Sequence, residues 1–475
     1  MLWIALYLPD LPLEVFLRGG DTSAPLAVGS GQGRPQVLLC NAAAAGLGVR
    51  PGMSVSAAQA LAGTLRVRPR DSTAEAAALD NLAAWAVQFT SSVSLSPPQG
   101  LLLEVAGSLK LFGGMVKLSA LIRQGLDEIG YRALCASAPT PLGAWLLARA
   151  GVEVRIVDAT ALARRLSALP LALLDQPPAV LETLDSLGVQ TLGDCLRLPR
   201  DGLARRFGQA LPDELDRALG KTPDPRKFFE APAQFKSALE LPADVRETEA
   251  LLFAARRLAL ELEGFLNGRG GGVQQFVLDL LHQDLPATRL SIGLLAPSRD
   301  NRHWLTLLRE RLARTELPAP VRALCLAAEE ILPLRSYNLS LFPDAAQQQE
   351  SWNGFVERLR ARLGADAVQG ICAASEHRPE LAWRACEPGR EYARPAPATR
   401  PLWLLAEPRR LAMAGGEPCL DGPLALKQGP ERIETGWWDG QRVTRDYYVA
   451  ESAAGARFWV FRERLGEWYL HGVVG

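Results

Sequence analysis

The chain has 475 residues, 48% of them apolar, with 52 basic and 52 acidic side chains and therefore no formal net charge. That length exceeds one ordinary core and sets an expectation of about three domains, while the neutral total excludes a chain that coats nucleic acid by bulk charge and leaves room for a local basic face. Seven cysteines are scattered without Cys-x-x-Cys spacing, so neither a zinc site nor a disulfide framework is expected, and a reducing cytosol is the natural compartment. No basic, apolar, small-residue leader opens the chain and no apolar run reaches about 18 residues, so neither secretion nor membrane insertion is expected. The four histidines, at 282, 303, 377 and 471, have no acid or cysteine at ligand spacing and read as surface or packing residues.

In chain order, Trp3 to Leu8 is an apolar run ended by Pro9, which predicts a buried strand. Leu26 to Val28 and Val37 to Leu39 read as two further strands around a Gly-rich turn. Asn41 to Met53 predicts a short helix and a Gly-Val turn, followed by a second helix from Ser54 to Leu61 stopped by Gly63. Arg66 to Arg70 is a basic strand edge. Ser72 with Glu75 has capping-box spacing and opens a long helix through Trp85. Leu101 to Val105 is a strand, and Thr140-Pro141 opens a helix to Arg149.

These pieces resemble the palm and fingers of Y-family translesion DNA polymerases. The likeness rests on the first strand, the Gly48-Val49 to Gly52-Met53 turn, the long helix, the Leu101–Val105 strand and the helix start after Ala138-Pro139. Such polymerases hold two Mg²⁺ ions on carboxylates that position the triphosphate and the primer hydroxyl. Overlaying the motifs puts Tyr7 at the first acid, and Gln99 and Gly100 at the adjacent Asp-Glu pair. Ala42 and Ala45 stand where a Tyr and an Arg grip the triphosphate, and Pro141 where a Lys is expected. Catalytic residues, metal and cofactor are therefore not expected. The alternative is an active, metal-dependent polymerase with displaced acids, for which Asp10 and Glu104 are the nearest carboxylates.

Leu181 to Phe207 reads as a helix-hairpin-helix around Gly188 and Gly193, matching a polymerase thumb. Glycine there would let backbone N–H groups approach phosphate, with Arg197, Arg200, Arg205 and Arg206 close by; the other reading is a small helical packing unit. Pro223 to Pro232 is a linker. Strand, long helix, two strands, helix and strand follow between Phe235 and Ala328. This βαββαβ order is that of an antiparallel sheet with helices on one face, and it matches the Y-family little finger. Arg256, Arg257, Arg269 and Arg289 are its candidate phosphate contacts, with solvated surface charge as the alternative.

Asn338-Leu339-Ser340-Leu341-Phe342 follows that unit and precedes a polar run. It resembles the bacterial sliding-clamp-binding motif Gln-Leu-Ser/Asp-Leu-Phe, with Asn in place of Gln. The alternative reading is a last edge strand. The final 125 or so residues (351–475) begin with an amphipathic helix at Trp352, are broken by prolines, and become dense in aromatics, which predicts a small β-module with aromatics mainly in its core. The fold class expected is α+β: palm-like 1–30 and 81–165, fingers-like 31–80, thumb-like 166–232, little-finger-like 233–334, clamp peptide and linker 335–350, and a partner-interaction region 351–475.

Over its full length the chain is similar to the catalytically inactive, polymerase-like proteins of bacterial mutagenesis cassettes. The segments that carry this are Leu2–Leu13, Cys40–Ala44, Leu109–Gly114, Gly436–Gly440 and Arg445–Tyr448. The resemblance implies a cytoplasmic, non-catalytic adaptor in damage-induced (SOS) mutagenesis. Its implied partners are the sliding clamp, DNA, an error-prone replicative-type DNA polymerase and a RecA-like protein, ImuA.

Overall fold

The structure is a computed structural model that describes residues 1–20, 23–30, 34–334, 345–389 and 400–474. The class is α+β, and the chain divides into two compact units, Met1–Arg362 and Leu363–Gly475. No helix among the described residues is long and apolar enough to cross a membrane.

The Trp3–Tyr7 strand lies inside a four-stranded antiparallel sheet, between Gly100–Glu104 and Leu134–Ala138, with Val93–Ser96 on the outer edge. Its side chains alternate between two cores. Trp3 and Ala5 join a cluster with Ala144, Leu147 and Leu162, whereas Ile4 and Leu6 join one with Leu82, Trp85 and Ile122. Both faces are covered, which is why the sequence is apolar without a polar phase. A helix at Leu11–Leu17, with Pro12 in its first turn, follows directly; the sequence reading passed over it because two prolines in four residues obscure the period.

The long helix spans Ser72–Ala86. Its cap is Asp71 rather than Ser72: the Asp71 carboxylate accepts from the N–H groups of Thr73 and Ala74. Glu75 is drawn instead into a bidentate pair with Arg70 at 2.8 and 2.7 Å, so the capping-box reading was one residue late. The two expected short helices, Ala42–Gly46 and Val55–Leu61, are capped by Asn41 and Ser54. Asn41 also accepts from Leu26 N and donates to Ala24 O, tying that helix to a small sheet in which Leu26–Gly29 lies between Val37–Cys40 and Arg66–Pro69.

Five helices between Ala159 and Leu219 lead to the predicted βαββαβ unit. Its antiparallel sheet runs Thr288–Ser298, Gly271–His282, Val321–Ala328, Phe235–Val245. The helices Thr248–Arg269 and Asn301–Leu312 bury Leu258, Phe265, Trp304 and Leu308 in one core with Phe276 and Leu278 of the sheet. The helix Ala345–Leu363 adds to this unit through the buried Val356 and through Glu357, which accepts from Leu295 N at 2.6 Å and pairs with His303.

The βαββαβ unit and the first sheet share a buried seam. Trp85 is wedged between two helices at glycines: a Cβ at Gly264 would fall 2.2 Å from its ring, and one at Gly125 2.5 Å. Beside it Arg18 (5% exposed) pairs with Glu261 (1% exposed). Arg18 also donates to Ile129 O at 3.0 Å and to the Tyr131 hydroxyl, and Glu261 accepts from Ser237 at 2.6 Å.

The second unit holds a five-stranded antiparallel sheet in the order Trp403–Arg410, Trp468–Val474, Arg457–Glu463, Val443–Glu451, Ala425–Thr435. Tyr447, Trp459 and Phe461 form a buried cluster, with Tyr447 and Trp459 stacked at 3.9 Å. Trp403, Trp437 and Trp438 face solvent, so the aromatics divide between core and surface.

Two stability outcomes follow from the first unit. Glu261→Gln leaves Arg18 buried without a counter-charge and should cost about 3–5 kcal/mol in urea unfolding, more than the double change Arg18→Met/Glu261→Met. Glu14, whose Oε1 accepts from Arg132 N at 2.7 Å while Oε2 is inaccessible and unpartnered, is pushed by burial from 4.5 up to about 7. The folded state therefore keeps a proton that the unfolded chain releases. Its stabilising contribution is full below about pH 4.5 and lost as pH rises through about 7. Urea midpoints between pH 5 and 8 should fall in the wild type and flatten in Glu14→Gln.

Candidate functional site

Tyr7 closes the first strand and stands opposite Gly100 on one side and Leu134 on the other. No carboxylate occupies the positions that the motif overlay assigns to metal ligands. The Tyr7 ring meets Trp145 edge-on at 5.6 Å, and the Trp145 indole lies over Gly100, where a Cβ would fall 2.1 Å from the ring. Gln99 is spent on the backbone, its side-chain N–H donating to Pro9 O at 3.2 Å and its carbonyl accepting from Leu8 N at 2.8 Å. Gly100 is thus a requirement of Trp145, which enters from the Pro141–Arg149 helix. That contact lies outside any local sequence pattern; only the Gly itself, inside an apolar strand, hints at a close approach.

Asp10 and Glu104 do not converge. Glu104 pairs with Trp3, at the far end of the strand from Tyr7, four residue steps or about 13 Å away. Asp10 lies beyond the Tyr7 end and faces Arg132 at 4.0 Å. The Glu104 carboxylate accepts from Leu2 N at 3.0 Å and from Ala106 N at 3.3 Å. Among the described residues no three of His, Cys, Asp and Glu gather as a metal site requires. The residues present do not fit the two Mg²⁺ ions of a polymerase. The adjoining cleft of about 650 Å³ is lined by Tyr7 and Trp145 with three acids, Asp175, Glu214 and Asp224, and three arginines, Arg149, Arg217 and Arg226; Asp224 pairs with Arg226 and Glu214 accepts from Asp175 N and the Gln176 side chain.

At the predicted hairpin, Gly188 has φ 77° and is exposed in a turn between the Pro178–Ser186 and Leu192–Leu196 helices. Every backbone N–H from Gly188 to Leu192 already has an acceptor within the chain. Gly188 donates to Asp185 O, Val189 to Leu184 O and Leu192 to Leu169 O, and both Gln190 and Thr191 donate to Asp194. Asp194 forms a capping box with Thr191, and those hydrogen bonds hold its carboxyl below the usual range. The anion at this helix start is therefore the chain's own. Gly193 serves packing, since a Cβ there would meet Ser167 O at 2.7 Å. The turn's N–H groups from Gly188 to Leu192 are thus engaged within the chain, with arginine side chains beside them. Arg197 pairs with Asp194, and Arg200 with Asp213 and Asp216, while Arg205 and Arg206 are exposed.

On the Thr248–Arg269 helix, Arg256 is exposed. Arg257 is half-buried over the Phe253 ring at 4.6 Å, and burial together with neighbouring Arg18 holds its guanidinium below the ordinary value. Arg269 donates to the carbonyls of Ala231 and Pro232, fastening the linker to the helix. Arg289 is bidentate to Asp279 across the sheet. Asn338, Leu339, Ser340, Leu341 and Phe342 lie outside the described residues, between the Leu332–Pro333 strand and the Ala345–Leu363 helix.

Residues 20–149 match the model of the impB/mucB/samB (IMS) family. Two curated proteins called ImuB, from two strains of Caulobacter vibrioides, are each 29% identical over 464 residues, covering 90% of this chain and all of theirs. Solved structures that resemble it include a Dbh–Dpo4 chimera of the Y-family DNA polymerases (20% identical, TM-score 0.41) and DinB from Sulfolobus solfataricus (20% identical, TM-score 0.40). Each covers 70% of this chain and all of the other. The chain is thus similar to Y-family polymerase-like proteins, the family match lying within residues 20–149. Over most of its length it is similar to ImuB.

Because Trp145 fills the space above Gly100, Gly100→Ala should lower stability by about 1–3 kcal/mol in thermal unfolding, and adding Trp145→Leu should recover part of the loss.

Proposed function

We propose that this chain is a non-catalytic adaptor in damage-induced mutagenesis and translesion synthesis. On this reading it binds the sliding clamp and DNA, and it recruits an error-prone replicative-type polymerase and the RecA-like protein ImuA. The observation that carries the reading is the Tyr7–Trp145–Gly100 packing, which puts an indole and a backbone-bound Gln99 where a polymerase needs carboxylates. The geometry offers no support for the active-polymerase alternative, because Glu104 stands at the opposite end of the strand from Tyr7. Under this proposal residues 1–30 and 81–165 are the palm, 31–80 the fingers, 166–232 the thumb, 233–334 the little finger and 351–475 the partner region.

Clamp binding is assigned to Asn338–Phe342, whose two leucines and phenylalanine would each contribute about 1.5–3 kcal/mol on burial, before ordering costs. DNA contact is assigned to exposed arginines, Arg205, Arg206 and Arg256, acting on phosphates without base readout.

Two measurements on one preparation test the reading. Leu341→Ala/Phe342→Ala should abolish clamp binding with an unchanged unfolding midpoint; unchanged clamp affinity rejects the peptide assignment. Primer extension with Mg²⁺ and then Mn²⁺ should show no incorporation by protein that binds the clamp. Incorporation lost on Asp10→Ala/Glu104→Ala would make the chain an enzyme.

A further inference from the structure

The Ala345–Leu363 helix is fastened to the βαββαβ unit along one side. Val356 is buried, Ala361 packs against the core of that unit, and Glu357 accepts from Leu295 N at 2.6 Å and pairs with His303. At about 100° per residue, the opposite side of the helix carries Trp352, Phe355, Arg358 and Arg362. All four are exposed, the two aromatics to 59% and 44%. Large aromatics shown together on a surface mark an interaction site.

The charge beside them is of one sign. Between Trp352 and Leu363 the chain has three arginines and a single acid, Glu357, which is turned into the protein. Arg314, just past the Asn301–Leu312 helix, donates to Arg362 O and brings a further guanidinium to that end. Arg358 uses its Nε on Gly354 O at 3.3 Å, and neither its terminal nitrogens nor the Arg362 guanidinium has an acceptor among the described residues. This sets the helix apart from the rest of the unit, where Arg289 is held by Asp279 and Arg269 by linker carbonyls.

Aromatic rings interleaved with free guanidiniums select single-stranded nucleic acid. A duplex keeps its bases stacked inside and gives the rings nothing to meet, whereas every base of a single strand has an open face. An apolar protein pocket that took the two rings would desolvate Arg358 and Arg362 without a counter-charge, which a phosphate backbone supplies at each step. Trp352 and Phe355 are 5.8 Å apart with planes 39° from parallel, nearer to the stepped arrangement of stacked bases than the exposed Trp437 and Trp438, which cross at 81°. From Trp352 to Arg362 the face runs about 15 Å along the helix, so rings and guanidiniums follow one another as bases and phosphates do along a strand.

We propose that the outward face of the Ala345–Leu363 helix is a binding site for single-stranded nucleic acid, with bases stacked on Trp352 and Phe355 and phosphates on Arg358, Arg362 and Arg314. It is separate from the phosphate contacts assigned to Arg205, Arg206 and Arg256, and it does not depend on the clamp peptide.

The test uses the full chain and the anisotropy of a labelled oligo-dT strand, an abasic strand of the same length and a duplex. Wild type should bind oligo-dT at least about tenfold more tightly than the abasic strand. Trp352→Ala/Phe355→Ala should remove that preference and leave duplex affinity and the unfolding midpoint unchanged. Arg358→Gln/Arg362→Gln, which takes away no ring, should lower the slope of log affinity against log salt on oligo-dT by about 1.4. Should the aromatic variant lose stability, the arginine slope decides. Equal binding of oligo-dT and the abasic strand by wild type overturns the proposal. So does an aromatic variant that binds oligo-dT like wild type, an unchanged slope, or an equal loss on oligo-dT and duplex, which would leave stacking no part. Clamp binding and primer extension on the same preparations judge the adaptor reading, whose failure leaves these strand affinities as they are.

Discussion

A guanidinium and a carboxylate withdrawn from water together, Arg18 and Glu261, sit where the first sheet and the βαββαβ unit meet. Neither charge is tolerable alone at that depth, so each fixes the other. Around the pair the chain has built matching surfaces. Tyr131 and the Ile129 carbonyl complete the arginine's donors, and Ser237 takes the second carboxylate oxygen. Gly125 and Gly264 leave the space that Trp85 fills. Residues hundreds of positions apart therefore belong to one buried seam, and the two parts it joins cannot separate without exposing an ion pair and a tryptophan. Toward the surface the contact continues more weakly, as Arg68 to Glu240 at 2.6 Å with both partners largely in water.

That seam makes the register of the first sheet consequential. With the sheet fixed on both faces, Tyr7 must meet Gly100 and Trp3 must meet Glu104. A one-residue slip would exchange Ile4 and Leu6 with Trp3 and Ala5 between two incompatible cores. The same register keeps Glu104 at the opposite end of the strand from Tyr7. The space above Gly100, occupied by Trp145, is part of the packing of the sheet rather than an empty relic of a site.

Much of this was legible in the sequence because it is local. Alternation, caps and glycine stops gave the βαββαβ order with its helix starts, and Asn41, Ser54 and Thr140 behave as the capping residues they resemble. The misses share a physical origin. Asp71 outcompeted Ser72 because Arg70 recruits Glu75, a side-chain choice that spacing alone does not reveal. Gly193 packs closely against Ser167, which comes from another helix, a contact that spacing does not encode. Arg18, Trp85 and Trp145 act on partners far away in sequence, and no periodicity encodes a partner's identity. Of the candidate interface, the motif at Asn338–Phe342 was readable as a motif, whereas which arginines are free and which are spent is a property of the folded chain alone.

The same bookkeeping of donors and charges narrows what the molecule offers to others. The hairpin N–H groups are consumed by Asp194 and by carbonyls, Arg269 by the linker, Arg289 by Asp279 and Arg378 by two acids. Under the adaptor reading, phosphate contact is assigned to exposed side chains such as Arg205, Arg206 and Arg256. Contacts to phosphate alone are sequence-tolerant and salt-sensitive. Under the adaptor reading, residence on DNA would come from linkage, in which several contacts of modest affinity raise the effective concentration of every partner for the rest. On that reading the chain needs a rigid frame more than an active site, and within the first unit the Arg18–Glu261 seam supplies one.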